Sequence, residues 1–252
     1  MSEYQYFEFQ AIDRPLSKKD IAELRSYSTR ARITPTSFVN DYSWGNLKGD
    51  ADVWMDKYFD AFLYLANWGT HILKLRLAES LLSAKTARLY AAGEHAAVRV
   101  QNGNVILSFL SENEDGEDSV ESEGWLASLI SVRAELALGD LRALYLGWLL
   151  RAQSGELDPS DLSPPVPAGL AKLSASLTSL VEFLRIDRDL IRVSAKPAAK
   201  SRTVAGLMRD LEAASRKQRR AAANVARGKV SHGRGTALRL VRSRRARSSG
   251  GT

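Results

Sequence analysis

Asp52, Asp56 and Asp60 recur at every fourth position, a spacing that lines all three along one face of a helix. Neighbouring like charges at that spacing cost roughly 0.2–0.5 kcal/mol each, so the row calls for cationic side chains opposite it or for a bound cation such as Mg²⁺. Asp52 gains from a place in the first turn, where a carboxylate complements the helix dipole, but Asp60 lies too deep for that. Just upstream, residues 40–50 read NDYSWGNLKGD and gather Asn40, Tyr42, Trp44, Asn46 and Lys48 around two glycines; Trp68 follows the aspartates. Tyr42, Trp44, Lys48, Asp52, Asp56 and Trp68 thus make a candidate ligand-binding cleft. The competing reading is a structural turn: Gly45 and Gly49 supply conformations other residues resist, Asp50 or Asp52 caps the helix, and the Tyr42, Trp44 and Trp68 rings bury against a sheet.

Other chemistries have little to stand on. The chain has no Cys, which removes disulfides, thiolate metal sites and cysteine nucleophiles, and its three histidines, His71, His95 and His232, have no metal-ligand or nucleophile spacing. The acidic stretch SENEDGEDSVESEG carries seven carboxylates between Glu112 and Glu123. Aligning Gly116 with the glycine of a calcium loop places Ser111 and Ser122 where carboxylates are required, so it reads as a solvated linker. No phosphate-binding loop, dinucleotide fingerprint or Gly-x-Ser-x-Gly elbow occurs. No catalytic residue, metal ligand or cofactor is therefore expected.

The strongest signal is electrostatic. The net charge of +7 is the sum of an acidic body and a basic tail: residues 1–191 hold 19 Lys and Arg against 27 Asp and Glu, and residues 192–252 hold 17 against 2. Such asymmetry concerns partners more than fold. A helix beginning near Ser201 presents Val204, Leu207, Met208 and Leu211 on one face and offers Arg216, Lys217, Arg219 and Arg220 to a phosphate backbone. The tail has no aromatic residue, so contact with nucleic acid would be sequence-independent and salt-sensitive. Folding back onto the acidic body, or no selected role, are the competing readings of the tail.

These residues must be positioned by a folded body, which 252 residues with 44% apolar content can supply. The expected class is α+β, with a mixed, largely antiparallel sheet carrying helices on one face, followed by a helical subdomain and a basic tail. Strands are expected over EYQYFEFQA, ITPTSFVNDYSW and THILKLRL, with a helix opened by a Ser17–Asp20 capping box between the first two. A second helix is expected from about Asp50 to Asn67, striped by Met55, Phe59, Phe62, Leu63 and Ala66 and ended by Gly69. Asn102-Gly103 predicts a type I′ hairpin. The division is residues 1–111 as the α+β domain, 112–124 as the acidic loop, 125–195 as helices broken at Gly139-Asp140 and by the stiff DPSDLSPPVPAG connector, and 196–252 as a basic helix and tail. In the helical part, Leu170, Leu173, Leu177, Leu180, Val181 and Leu184 are placed on one seam.

The blocks YQYFEFQAIDRPLS, ITPTSFVNDYSWGNLKGD and YFDAFLYLANWGTHILKLRL resemble the shared N-terminal signature of a group of bacterial proteins with no assigned function. The resemblance spans roughly residues 3–77 and implies a bacterial, cytoplasmic protein; it transfers no catalytic residue. The first ten residues lack a signal-peptide pattern and no run approaches the roughly 20 apolar residues that cross a bilayer, so no membrane contact is expected. A non-catalytic interaction protein, with an unidentified protein partner and non-specific nucleic-acid contact through the tail, is the leading expectation. An enzyme or small-ligand protein using the aromatic, Asp-rich cleft is the alternative.

Overall fold

The computed structural model describes residues 3–113, 123–197 and 201–222. Seven strands form one antiparallel sheet: β1 (Gln5–Gln10), β2 (Arg32–Thr34), β3 (Ser37–Tyr42), β4 (Ala61–Ala66), β5 (His71–Ala78), β6 (Ala96–Gln101) and β7 (Asn104–Ser111), in spatial order β2-β3-β1-β4-β5-β7-β6. Alternation along each strand divides its side chains between two cores. Phe7, Phe9, Phe38 and Phe62 face α1 (Lys18–Tyr27) and α2 (Ala51–Lys57), where Leu24, Trp54 and Met55 complete one core. Leu63, Leu73, Leu75, Leu107 and Phe109 face the other way, onto the later helices. The fold is thus α+β, as expected, but helices cover both faces of the sheet rather than one, because α1 and α2 pack on the face opposite the later helices.

The local signals act as the sequence leads one to expect at three places. Ser17 Oγ accepts from the Asp20 amide while the Asp20 carboxylate accepts from the Ser17 amide, which closes the capping box that opens α1. Asn102 and Gly103 both take positive φ, 51° and 73°, and join β6 to β7. Gly139, at φ 88°, ends α5 (Ser131–Ala137) before α6 (Arg142–Gln153).

Two expectations are corrected. The single strand over ITPTSFVNDYSW is a hairpin, β2 and β3, turning at Pro35-Thr36. The helix expected from Asp50 to Asn67 stops at Lys57, and Ala61–Ala66 is strand β4 between β1 and β5. AFLYLA is apolar toward both sides because this strand is covered on both faces, so a 3.6-residue stripe could be traced through residues that in fact alternate. Gly69 accordingly ends no helix; at φ 93° it lies in the β4–β5 turn, where a Cβ would collide with the Asn113 carbonyl.

α3 (Ala84–Arg88), α4 (Trp125–Leu129), α5, α6, α7 (Ala175–Phe183) and α8 (Arg188–Ser194) pack on the second face, and one continuous core joins Leu126, Leu136, Leu144, Leu149, Leu177 and Leu190 to the sheet. Leu170 and Leu173 precede α7, so the expected leucine seam is only in part a helix face. A further helix, α9, spans residues 204–222. Its Leu207 is 1% exposed and Val204 is buried in the same core, with Met208, Leu211 and Ala214 packed beside them. Residues 114–122, most of the acidic loop, and residues 223–252, the end of the basic tail, lie outside the described residues. No helix among the described residues is long and apolar enough to cross a membrane.

Candidate functional site

The aspartate row divides in two, because α2 ends between Asp56 and Asp60: Asp52 and Asp56 share Arg99 beside α2, and Asp60 stands apart. Asp60 is 1% exposed and accepts from the amides of Ile12 (2.6 Å) and Asp13 (2.9 Å) and from Arg76 Nη2 (2.6 Å) and Nε (3.1 Å). Burial alone would push its carboxyl up, but the two amides and the Arg76 guanidinium outweigh that and hold its pKa below the usual carboxylate range. Asp56 pairs with Arg99 (2.8 Å), and Asp52 pairs with Lys74 (2.5 Å). The row is a cation-paired face, as one of the two readings required. Lys74 and Arg76 are the partners that inspection of the aspartates alone misses. Their signal is in HILKLRLA, where both fall on the strand face opposite the buried leucines. Among the described residues no cluster of three or more His, Asp or Glu is placed to hold a metal ion.

The aromatic part of the candidate cleft is divided in the same way. Tyr42 is buried against Phe7, ring centroids 5.6 Å apart and nearly perpendicular, on the α1–α2 face of the sheet. Trp44 and Trp68, expected to bury their rings, are 74% and 45% exposed. Each stands two residues beyond a partner of Gln5, Tyr42 on one side and Ala66 on the other, so both flank the start of β1 at one end of the sheet. Both follow the last strand pairing at that end. Gln5 Nε2 donates to the Gly45 carbonyl (2.8 Å) and fixes the turn beneath Trp44. Asp50 caps α2 by accepting from the amides of Asp52 and Val53. Lys48 is exposed, and cavities of about 440 and 660 Å³ open elsewhere, along the 163–171 connector.

The two described histidines are occupied by structure. His71 Nε2 accepts from Arg185 (2.9 Å), so Nδ1 carries the proton it donates to the Phe183 carbonyl (2.7 Å). His95 Nδ1 lies 3.2 Å from Glu156, which also accepts from Arg151.

The basic segment is where chemistry and exposure coincide. Arg202 donates to the carbonyls of Val193 and Ser194 at the end of α8, and a bridge between Leu162 and Thr203 fixes the start of α9. Farther along, Gln218 lies against α8, its amide nitrogen donating to Asp189 and its oxygen accepting from Arg192. At 3.6 residues per turn Arg216 and Arg220 fall opposite the buried stripe of Val204, Leu207 and Leu211, with Lys217 and Arg219 on the two flanks of the helix, and all four are exposed. Arg209 joins that side seven residues before Arg216, a position the composition of the tail conceals. Arg216 has one carboxylate neighbour, Glu212 at 3.7 Å, with both side chains about 70% exposed; Lys217, Arg219 and Arg220 have none among the described residues.

No family model, no curated protein and no solved structure matches this chain.

Proposed function

We propose that the protein is a non-catalytic interaction protein that contacts the phosphate backbone of nucleic acid through the outer face of α9 and the basic chain that follows it. One observation carries the reading: the helix is anchored by a buried apolar stripe, and its solvent side presents Arg209, Arg216 and Arg220 opposite that stripe with Lys217 and Arg219 on the flanks. An isolated basic helix of this length would be marginal in water, whereas a docked one holds its cations in fixed positions before any partner arrives. The lysine and arginine side chains supply charge and donors but no flat apolar surface, and the described tail contains no aromatic ring, which favours backbone contact over base readout. The eight further Lys and Arg between Arg227 and Arg247, with no Asp or Glu beyond Glu212, extend the same charge.

The alternative, a small-ligand or metal site at Tyr42, Trp44, Lys48, Asp52, Asp56 and Trp68, has less in its favour. A ligand there would have to displace Lys74 and Arg99 from the aspartates, and Tyr42 is packed away from the exposed tryptophans.

The test is a titration of labelled duplex DNA and duplex RNA, each in two unrelated sequences. The full-length protein and an Arg216→Gln, Lys217→Gln, Arg219→Gln, Arg220→Gln variant are compared by fluorescence anisotropy. The reading predicts similar affinity for the two sequences and weaker binding by the variant. Equal binding by both proteins sinks it.

A further inference from the structure

A second surface borders α8. A groove of about 310 Å³ between α7, α8 and the end of the connector has an apolar floor of Leu170, Leu173, Val181 and Ile191, with Arg188 and Arg192 among its walls. It shares Leu170, Ala171 and Ala195 with the 440 Å³ cavity, whose lining includes Lys196. Arg188 and Arg192 stand one turn apart on α8, about 6 Å along its axis at 1.5 Å per residue, and Lys196 follows just past the Ala195 C-cap. Among the described residues, no Asp or Glu lines either cavity.

We infer that this groove docks an acidic amphipathic helix of a partner protein, its apolar stripe on the leucine floor and its carboxylates against Arg188, Arg192 and Lys196. The distribution of charge selects this occupant. A single-headed amphiphile such as a fatty acid needs one cation at one end of an apolar slot, whereas here two arginines one helical turn apart wall the floor and Lys196 lines the adjoining cavity. Helix-in-groove recognition uses that pattern of i, i+3, i+4 and i+7 apolar anchors with charges beside them. The present partners of the two arginines yield readily. Arg188 pairs with Glu182 (2.6 Å) in an exposed pair, and Arg192 pairs with Asp189 (3.0 Å) in a partly exposed one while also donating to Gln218 of α9; surface pairs of this kind contribute little. Lys196 is exposed and has no ion pair among the described residues. The site is separate from the outer face of α9, and its test does not depend on nucleic-acid binding.

The experiment uses the full-length protein and a 15-residue synthetic peptide with Leu at i, i+3, i+4 and i+7 positions and Glu elsewhere. Binding is followed by calorimetry. The expected result is saturable binding that weakens about tenfold in an Arg188→Gln, Arg192→Gln, Lys196→Gln variant, the loss three exposed ion pairs together provide. Ala171→Trp, which fills the groove from an exposed position, should abolish binding without changing the thermal melt. A scrambled peptide of the same composition, and a Lys-for-Glu version, should bind at least tenfold more weakly. Equal binding of the scrambled peptide, unchanged binding by either variant, no binding at all, displacement by sodium decanoate, or displacement by duplex DNA would each overturn the proposal. The last two would assign the groove to a single-headed amphiphile or to the polyanion interface.

Discussion

Asp60→Asn tests whether the buried carboxylate holds the sheet to the β1–α1 connection. The carboxylate accepts four hydrogen bonds, two from the backbone of Ile12 and Asp13 and two from Arg76, whose side chain is itself mostly buried. An asparagine cannot present two acceptor oxygens, and it leaves the Arg76 guanidinium without its countercharge. Removing one member of a buried pair costs roughly 3–5 kcal/mol. For a chain of this size that corresponds to a fall in Tm of about 6–20 °C, at roughly 2–4 °C per kcal/mol. Asp56→Asn, which breaks the half-exposed pair with Arg99, should cost less than about 1 kcal/mol. The pH dependence has a fixed sign. The folded-state pKa of Asp60 is depressed, so its stabilisation is present above the ordinary carboxylate range and lost as pH falls through the folded value. The gap between wild type and Asp60→Asn, followed by circular dichroism melts, should therefore narrow on acidification. A loss below about 1 kcal/mol at neutral pH, or a gap that widens in acid, refutes the argument.

Glu8 has the opposite sign: burial pushes its carboxyl up and Glu123 adds to the shift, while the Tyr6 hydroxyl opposes it. Glu8→Gln should raise Tm at neutral pH, with the gain vanishing below the usual glutamate pKa; a lower Tm for the variant at neutral pH contradicts this. Leu207→Ala should cost roughly 2–5 kcal/mol in denaturant unfolding, because the side chain is almost wholly buried where α9 meets the body. A chain stopped after Ala222 should melt like the full protein, whereas one stopped before residue 204 should not. Gly103→Ala should cost about 1 kcal/mol for its positive φ, and Gly69→Ala clearly more, since the Asn113 carbonyl occupies the Cβ position; equal losses would contradict the turn geometry. Trp44→Ala should change stability by no more than about 0.5 kcal/mol, as expected of a mostly exposed side chain, whereas Trp68→Ala, about half buried, should cost more; a loss at Trp44 as large as at Trp68 would mean that its ring is packed.

The legible parts of the fold were those fixed by contacts within a few residues. Asn102-Gly103 takes the two positive φ values its residue types allow, Ser17 and Asp20 close a capping box three residues apart, and Val204, Leu207 and Leu211 turn inward together. The failures came where distant segments decide. AFLYLA is a strand because β1 and β5 lie on either side of it, and nothing within the segment distinguishes two covered faces of a strand from a buried helix. The same displacement ended the helix before Asp60 and split the aspartate row. Trp44 and Trp68 lie just past the strand pairing at one end of the sheet, a fact of tertiary arrangement with no local signature. The alternation of Lys74 and Arg76 with the leucines of β5 showed that cations face the α2 side, but which carboxylate each would meet depended on the sheet order.

The most direct measurement of the central proposal is the salt dependence of duplex binding by the wild type and the variant with glutamine at positions 216, 217, 219 and 220. Each phosphate contact contributes about 0.9 to the slope of log affinity against log salt for duplex DNA. If all four side chains of the α9 face contact phosphates, the variant's slope should be shallower by about 3 to 4, with the two affinities converging as salt rises. Parallel slopes for the two proteins would show that the outer face of α9 does not touch the backbone, and would contradict the proposed function.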